Sequence, residues 1–259
     1  MTLWLFGDSF AGKDWEWAQD PNFPHYYAVL ADKLRTDYKQ YGLGGSSAEY
    51  TYDQFYKNKS EIKKNDIVLI ALTTPSRRWF FHDRPRLTSF WGFSADVENS
   101  SLQEREAFEQ YMLYLNHQLL FDLAMTNFLY ALEFFAIQQK VKVIVMPCFP
   151  DVFELASKLD LEQVKIAKGN LWKINEDEST PDFRNDIALI LNDGKPNHLT
   201  ATNHKRLAEK ILQTIKHDDP LDLTNGFVKG SYTKDSIKDA NYRLSELGNT
   251  TNKISIKFK

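Results

Sequence analysis

Leu3-Trp4-Leu5-Phe6-Gly7-Asp8-Ser9 decides the fold. Four consecutive large apolar residues leave no polar face. A strand built from them must be buried on both sides, as in a parallel sheet covered by helices. Gly-Asp-Ser then breaks the run, and in an open α/β sheet ligands bind at such strand ends. Outward from there, Asp66-Ile67-Val68-Leu69-Ile70-Ala71-Leu72 and Val141-Lys142-Val143-Ile144-Val145-Met146 have the same character. A short strand is expected over residues 38–41, before Gly42, and a weaker one over 171–174. Helical spacing falls between them, at 24–33, at 46–57 with Ser46 or Ser47 as cap, at 152–168 and at 200–216. The last carries Leu207, Ile211, Leu212 and Ile215 on one stripe. Strands alternating with helices predict a parallel sheet between two helical layers, a three-layer α/β/α sandwich.

The 259 residues are 42% hydrophobic and 26% charged, proportions that suit a globular protein of one or two domains. The pattern divides into an α/β domain over 1–217, an aromatic-rich insert at 77–100, and a C-terminal extension over 218–259. Lys+Arg 32 against Asp+Glu 35 gives a net charge of -3, which argues against nucleic acid as a partner. The single cysteine, Cys148, excludes an intramolecular disulfide framework and a cysteine-based zinc site. His25, His82, His117 and His217 have no metal-ligand spacing around them, so neither metal nor cofactor is expected. The most apolar stretch, 110–138, is interrupted by Asp122 and Glu133, so no uncharged run reaches the roughly 18 residues of a membrane span. Residues 1–6 are too short for a signal-peptide core, which predicts a cytoplasmic protein, with virion association or signal-independent export as alternatives.

Two segments exceed a minimal unit of this kind. Trp79, Phe80, Phe81, Phe90, Trp91 and Phe93 crowd the insert, where Pro85 and Gly92 argue against a regular element. The segment is either a loop packed on the core or a pocket wall. Residues 101–139 contain no Gly or Pro, predicting two helices or a bent one, mostly buried. Near the end, Ile254, Ile256 and Phe258 alternate with polar residues. That is either a mobile tail or an arm that pairs with a sheet edge, its own or that of a second copy, the latter joining a homo-oligomer.

Three segments bear on chemistry. Ser9 lies at a strand end. Gly42-Leu43-Gly44-Gly45-Ser46-Ser47 precedes a helix, where free N–H groups hold a phosphate or an oxyanion. This loop lacks the lysine of a Walker sequence and the spacing of a dinucleotide fingerprint. In Pro196-Asn197-His198-Leu199-Thr200, His198 falls just before a helix capped by Thr200 or a neighbour, whereas His204, inside that helix, reads as structural.

In these blocks the chain resembles the SGNH/GDSL hydrolase family. Gly7-Asp8-Ser9 is similar to the nucleophile turn, Gly42-Leu43-Gly44-Gly45-Ser46 to the oxyanion loop, and His198-Leu199-Thr200 to the block carrying the base. The likeness spans about residues 1–215 and implies a flavodoxin-like sheet of strand order 2-1-3-4-5. It implies Ser9 as nucleophile, His198 as base and Gly45 as an oxyanion donor. Where the family has Asn in its third block this chain has Pro75, leaving Thr73, Thr74 or Ser76 as hydroxyl donors and Arg77 as a charged one. Where the family has Asp before the histidine this chain has Lys195, so either Asp193 or a backbone carbonyl orients His198, with Asp186 and Asp182 as further candidates. The implied activity is hydrolysis of an ester or O-acetyl group on a small-molecule or carbohydrate substrate. The competing readings are a binding or assembly protein on the same fold with a decayed site, and a phosphoryl-handling enzyme.

Overall fold

The computed structural model describes residues 1–12, 23–75, 77–81, 85–88, 102–114, 117–174 and 199–228. The chain divides into two compact units, one of residues 1–14 and 37–166, the other of 15–36 and 167–259.

The first unit holds the sheet. Strands β1 (Thr2–Gly7), β2 (Asp37–Gly42), β3 (Ile67–Leu72), β6 (Lys142–Pro147) and β7 (Val164–Ile166) lie in the order β2-β1-β3-β6-β7, and every pair is parallel. In sequence rank within the sheet this is 2-1-3-4-5, the flavodoxin-like order. The apolar runs of the central strands β1 and β3 are buried, as their unbroken hydrophobicity requires, while β2 at one edge begins exposed and carries Asp37, Lys39 and Gln40. Helices α2 (Ala48–Asn58), α4 (Gln118–Gln139) and α5 (Pro150–Ala156) flank the sheet.

Alternation along the strands sends Trp4, Phe6, Val68, Ile70, Leu72, Val143 and Val145 to one face. There they meet Phe55 of α2, Met125, Phe128, Leu129 and Leu132 of α4, and Val152 of α5. Phe55 sits edge-on to Phe6 at 5.8 Å and to Phe128 at 5.7 Å, the favoured geometry for aromatic pairs. Each of these side chains contributes about 1.5–3 kcal/mol by leaving water.

Local signals set the element boundaries. The Ser47 hydroxyl accepts the Tyr50 N–H and starts α2, with Glu49 in the first turn and Lys57 in the last. Helix α4 stops at Lys140, whose left-handed backbone (φ 54) turns the chain straight into β6. Two helices, α3 (Leu102–Tyr114) and α4, fill the 101–139 stretch.

Four expectations are corrected. The fifth strand is Val164–Ile166, and residues 172–174 form a 3-10 turn. The helix expected to reach 168 ends at Ala156. The aromatic insert contains a regular element after all: β4 (Arg78–Phe81) pairs antiparallel with β5 (Pro85–Thr88). Pro85 opens its strand, where a missing N–H is tolerated. Finally, α4 is not mostly buried, since a continuous apolar face of it is exposed. Phe90, Trp91 and Phe93 lie outside the described residues.

In the second unit, α1 (Tyr26–Leu34) packs on α6 (Ala201–His217). The Thr200 side chain accepts the Asn203 N–H and caps α6. His204 is structural: its Nδ1 accepts the Tyr26 N–H at 3.1 Å, satisfying a donor at the start of α1 that the helix itself leaves free. The first part of the C-terminal extension packs here too. Lys168 donates its N–H to Leu221 and accepts one from Leu223, and the Asn203 side chain exchanges two hydrogen bonds with the Val228 backbone. The rest of the extension, 229–259, lies outside the described residues, as does any arm it forms.

Candidate active site

The strand register fixes where the site falls. Gly7 stands opposite Gly42 on one side and Ala71 on the other, and Ala71 stands opposite Met146. Four strands therefore end at one level. The residues just past those ends are Asp8-Ser9, Leu43-Gly44-Gly45, Thr73-Thr74 and Cys148.

The first two loops interlock. The Gly7 carbonyl accepts the Leu43 N–H at 3.2 Å and the Ser46 hydroxyl at 3.3 Å. The Gln40 amide donates to Ala11 O at 2.5 Å and to Gly42 O at 3.1 Å, bracing both loops. A Cβ on Gly42 would stand 2.3 Å from the Ala11 carbonyl carbon, so only glycine admits this approach. Gly45 has φ 70, the left-handed region, and ends the turn just ahead of α2. Ser9 is 9% exposed at the rim of this assembly.

Beneath Ser9 lies a charge network absent from the sequence reading. Asp8 is fully buried. Its Oδ1 accepts the Phe10 N–H at 3.0 Å, and the Cys148 thiol stands 3.5 Å from the same oxygen. Its Oδ2 accepts from Arg77 at 3.0 Å, and the same guanidinium nitrogen donates to Thr73 Oγ1 at 3.1 Å. The Arg77 guanidinium also lies 4.8 Å from the Phe149 ring, which meets Phe10 edge-on. Burial pushes the Cys148 thiol well above its ordinary range, and the Asp8 carboxylate adds to that. Cys148 is therefore a protonated thiol and a weak donor, not a nucleophile. Asp8, held by these donors, fixes the turn that presents Ser9.

Of the residues expected at the site, Ser9, Gly45, Thr74 and Arg77 all sit at this carboxyl edge. Thr74 donates its hydroxyl proton to Asp151 Oδ2 at 2.5 Å, and Arg77 is engaged with Asp8. Ser76, Asp193 and His198 lie outside the described residues. The sequence reading assigned no role at the site to Asp8, Gln40, Cys148, Phe149 or Asp151. For Cys148, Phe149 and Asp151 a signal was available: 148–151 directly follow the third long apolar run, at the same strand edge as Ser9. Among the described residues no group of three His, Cys, Asp or Glu side chains converges on a metal-sized site.

No family model matches the chain, and no curated protein matches it. Among solved structures, a protein assigned to the G-D-S-L lipolytic family from Desulfitobacterium hafniense DCB-2 matches with a TM-score of 0.38 and 14% identity. The match covers 80% of this chain and 95% of that one.

Proposed function

We propose that this protein is a serine hydrolase that cleaves an ester or O-acetyl group on a small molecule or carbohydrate, without a cofactor. One observation carries the reading. The ends of β1, β2 and β3 bring Ser9, the Gly44-Gly45 turn, Thr73, Thr74 and Arg77 to one edge, with the Ser9 turn held by a buried carboxylate.

In this mechanism Ser9 Oγ attacks the acyl carbon as His198 removes its proton. The carbonyl oxygen becomes an oxyanion, received by the backbone N–H groups of Ser9 and Gly45. His198 returns the proton to the leaving alcohol, and the acyl-enzyme is then hydrolysed by water activated by the same imidazole. Asp193 or a backbone carbonyl holds the second ring nitrogen of His198. Pro75 supplies no donor, and the hydroxyl of Thr74 is committed to Asp151. The oxyanion is therefore stabilised by backbone donors, with Thr73, Ser76 and Arg77 as the remaining side-chain candidates.

The test is fluorophosphonate labelling combined with turnover of a panel of short acyl esters. Wild-type protein is expected to label and to hydrolyse. Ser9→Ala and His198→Ala should each lose both properties, and the double variant should be no worse than either, because nucleophile and base act as a unit. Failure of the wild type to label overturns the reading in favour of a binding or assembly protein, and labelling that survives Ser9→Ala overturns Ser9 as the nucleophile.

A further inference from the structure

Helix α4 has two apolar faces. Phe121, Met125, Phe128, Leu129, Leu132 and Ala136 are buried in the first unit. On the opposite side Leu120, Leu123, Asn127, Tyr130, Phe134 and Ile137 are all exposed, the five apolar ones by 57, 48, 47, 61 and 52% in chain order. The spacings along this second face are 3, 4, 3, 4 and 3, the heptad alternation by which one helix seats against another. Ala124 and Ala131 flank the seam, small enough to let a second helix approach closely. The seam runs over 17 steps of the helix, about 26 Å at 1.5 Å per residue.

We propose that this seam is a homodimer interface in which α4 pairs antiparallel with α4 of a second copy across a two-fold axis. The occupant is read from the sequence of the seam itself. About an axis passing midway between positions 127 and 130, Leu120 faces Ile137 of the second copy, Leu123 faces its Phe134, and Asn127 faces its Tyr130. Every seam residue thus finds a seam partner. The two that carry polar atoms meet each other beside the axis, where the Asn127 amide oxygen accepts the tyrosine hydroxyl. A polar layer of this kind specifies register in helix pairs, and an isologous contact needs this self-complementarity.

The exposed area is sufficient. Side chains of this size, about half exposed, offer on the order of 100 Å² each, hence about 600 Å² per copy with the flanking Leu119 and about 1,200 Å² for the pair, at the threshold of a stable specific interface. A lipid surface fits less well. Helix α4 has the length and the mean hydropathy (1.4) of a membrane span, but one face is sunk in the core. Asn127 would also carry an amide into hydrocarbon with no partner.

Sedimentation velocity on the full chain over roughly 1–100 μM covers the relevant affinity range. A dimer is expected. Phe134→Lys and, separately, Leu123→Lys should each be monomeric with an unchanged circular-dichroism spectrum, since both side chains are exposed, and with a melting temperature that no longer rises with protein concentration as that of the wild-type dimer does. Cysteine cross-linking then reads the register, with little background because the native Cys148 is buried. Asn127→Cys mixed with Tyr130→Cys, and Leu120→Cys mixed with Ile137→Cys, should give disulfide-linked heterodimers, whereas Leu120→Cys alone should not cross-link. A monomer across the whole range overturns the proposal, as does a dimer that survives both lysine variants. Self-cross-linking of Leu120→Cys overturns it as well, and so does a monomer that instead co-sediments with phosphatidylcholine–phosphatidylserine vesicles.

Discussion

Asp8 and Asp66 are both buried carboxylates of the same sheet, one at each end of it, and they are held in opposite ways. Asp66, at the amino edge just before β3, accepts the Thr2 N–H at 2.7 Å, the Trp4 indole N–H at 2.9 Å and the Lys63 N–H at 3.0 Å. Two of those donors are backbone and the third is a rigid ring in the core. Asp8, at the carboxyl edge, has one backbone donor, Phe10, and beyond it the long side chain of Arg77 and the weak thiol of Cys148. The amino-edge charge is held by neutral N–H donors of the fold itself and stitches β1 to β3. The carboxyl-edge charge is neutralised by side chains that arrive from separate strand ends. The difference separates a carboxylate that serves folding from one that positions a site.

That contrast can be broken or sharpened by substitution. The largest effect is expected for Asp8→Ala, which strands Arg77 without its counter-charge. Chemical denaturation should show a loss of about 3–5 kcal/mol, and ester hydrolysis should vanish together with the geometry of the Ser9 turn. Asp66→Ala should cost about 2–3 kcal/mol for three donors left unpaired, while kcat/KM per folded molecule stays at the wild-type value. A fall in kcat/KM there would erase the distinction between the two ends.

Asp66 also carries a pH signature. Burial pushes its pKa up, but the Lys63 N–H, the Trp4 indole and the Thr2 N–H outweigh burial and hold it below the ordinary 3.8. A lowered folded-state pKa means the stabilisation is fully present above 3.8 and is lost as pH falls below that value. Wild-type stability should therefore decline more steeply than that of Asp66→Asn in acid titrations below about pH 4.

Arg77→Gln comes next, with an expected drop in kcat of about tenfold to a hundredfold and little change in KM, since Arg77 acts through Asp8. Arg77→Lys should recover part of the loss by restoring the charge, and a KM effect alone would instead place Arg77 on the substrate. The smallest effect belongs to Cys148. Cys148→Ala should shift stability by about 1 kcal/mol, and the native thiol should resist a thiol-specific reagent until the protein is unfolded. Rapid native-state labelling would mean that the carboxyl edge opens to solvent.

What the sequence disclosed, it disclosed through long uninterrupted patterns. Leu3–Phe6, Ile67–Leu72 and Val143–Met146 admit no amphipathic reading, so three strands and their burial followed directly. Val164–Ile166 is three residues long, too short to show a period of two, and the apolar residues just ahead of it have helical spacing. The pairing of β4 with β5 is hidden in the sequence because proline ordinarily breaks a strand, although a strand's first position accepts it. In α4 an all-round apolar composition predicts burial, but a helix with two apolar faces satisfies the same composition with one face exposed. At the site, Ser9 and the glycine loop were legible because each is a local motif. The Asp8–Arg77 pair was not. It joins residues 69 positions apart, and only the register of β1 against β3 brings them together.

Glu133 has a consequence in time rather than in energy. It projects from α4 and accepts the N–H groups of Glu162, Gln163 and Val164 at 2.8–3.1 Å, gripping the start of the three-residue edge strand β7. A strand that short has few ladder bonds of its own with which to resist fraying. Its survival is thereby tied to the helix, and the two should open in a single event. In hydrogen exchange the amides of 162–164 should keep pace with those of α4 and not with a free sheet edge. Glu133→Gln should uncouple their clocks, leaving the helix slow and the edge fast.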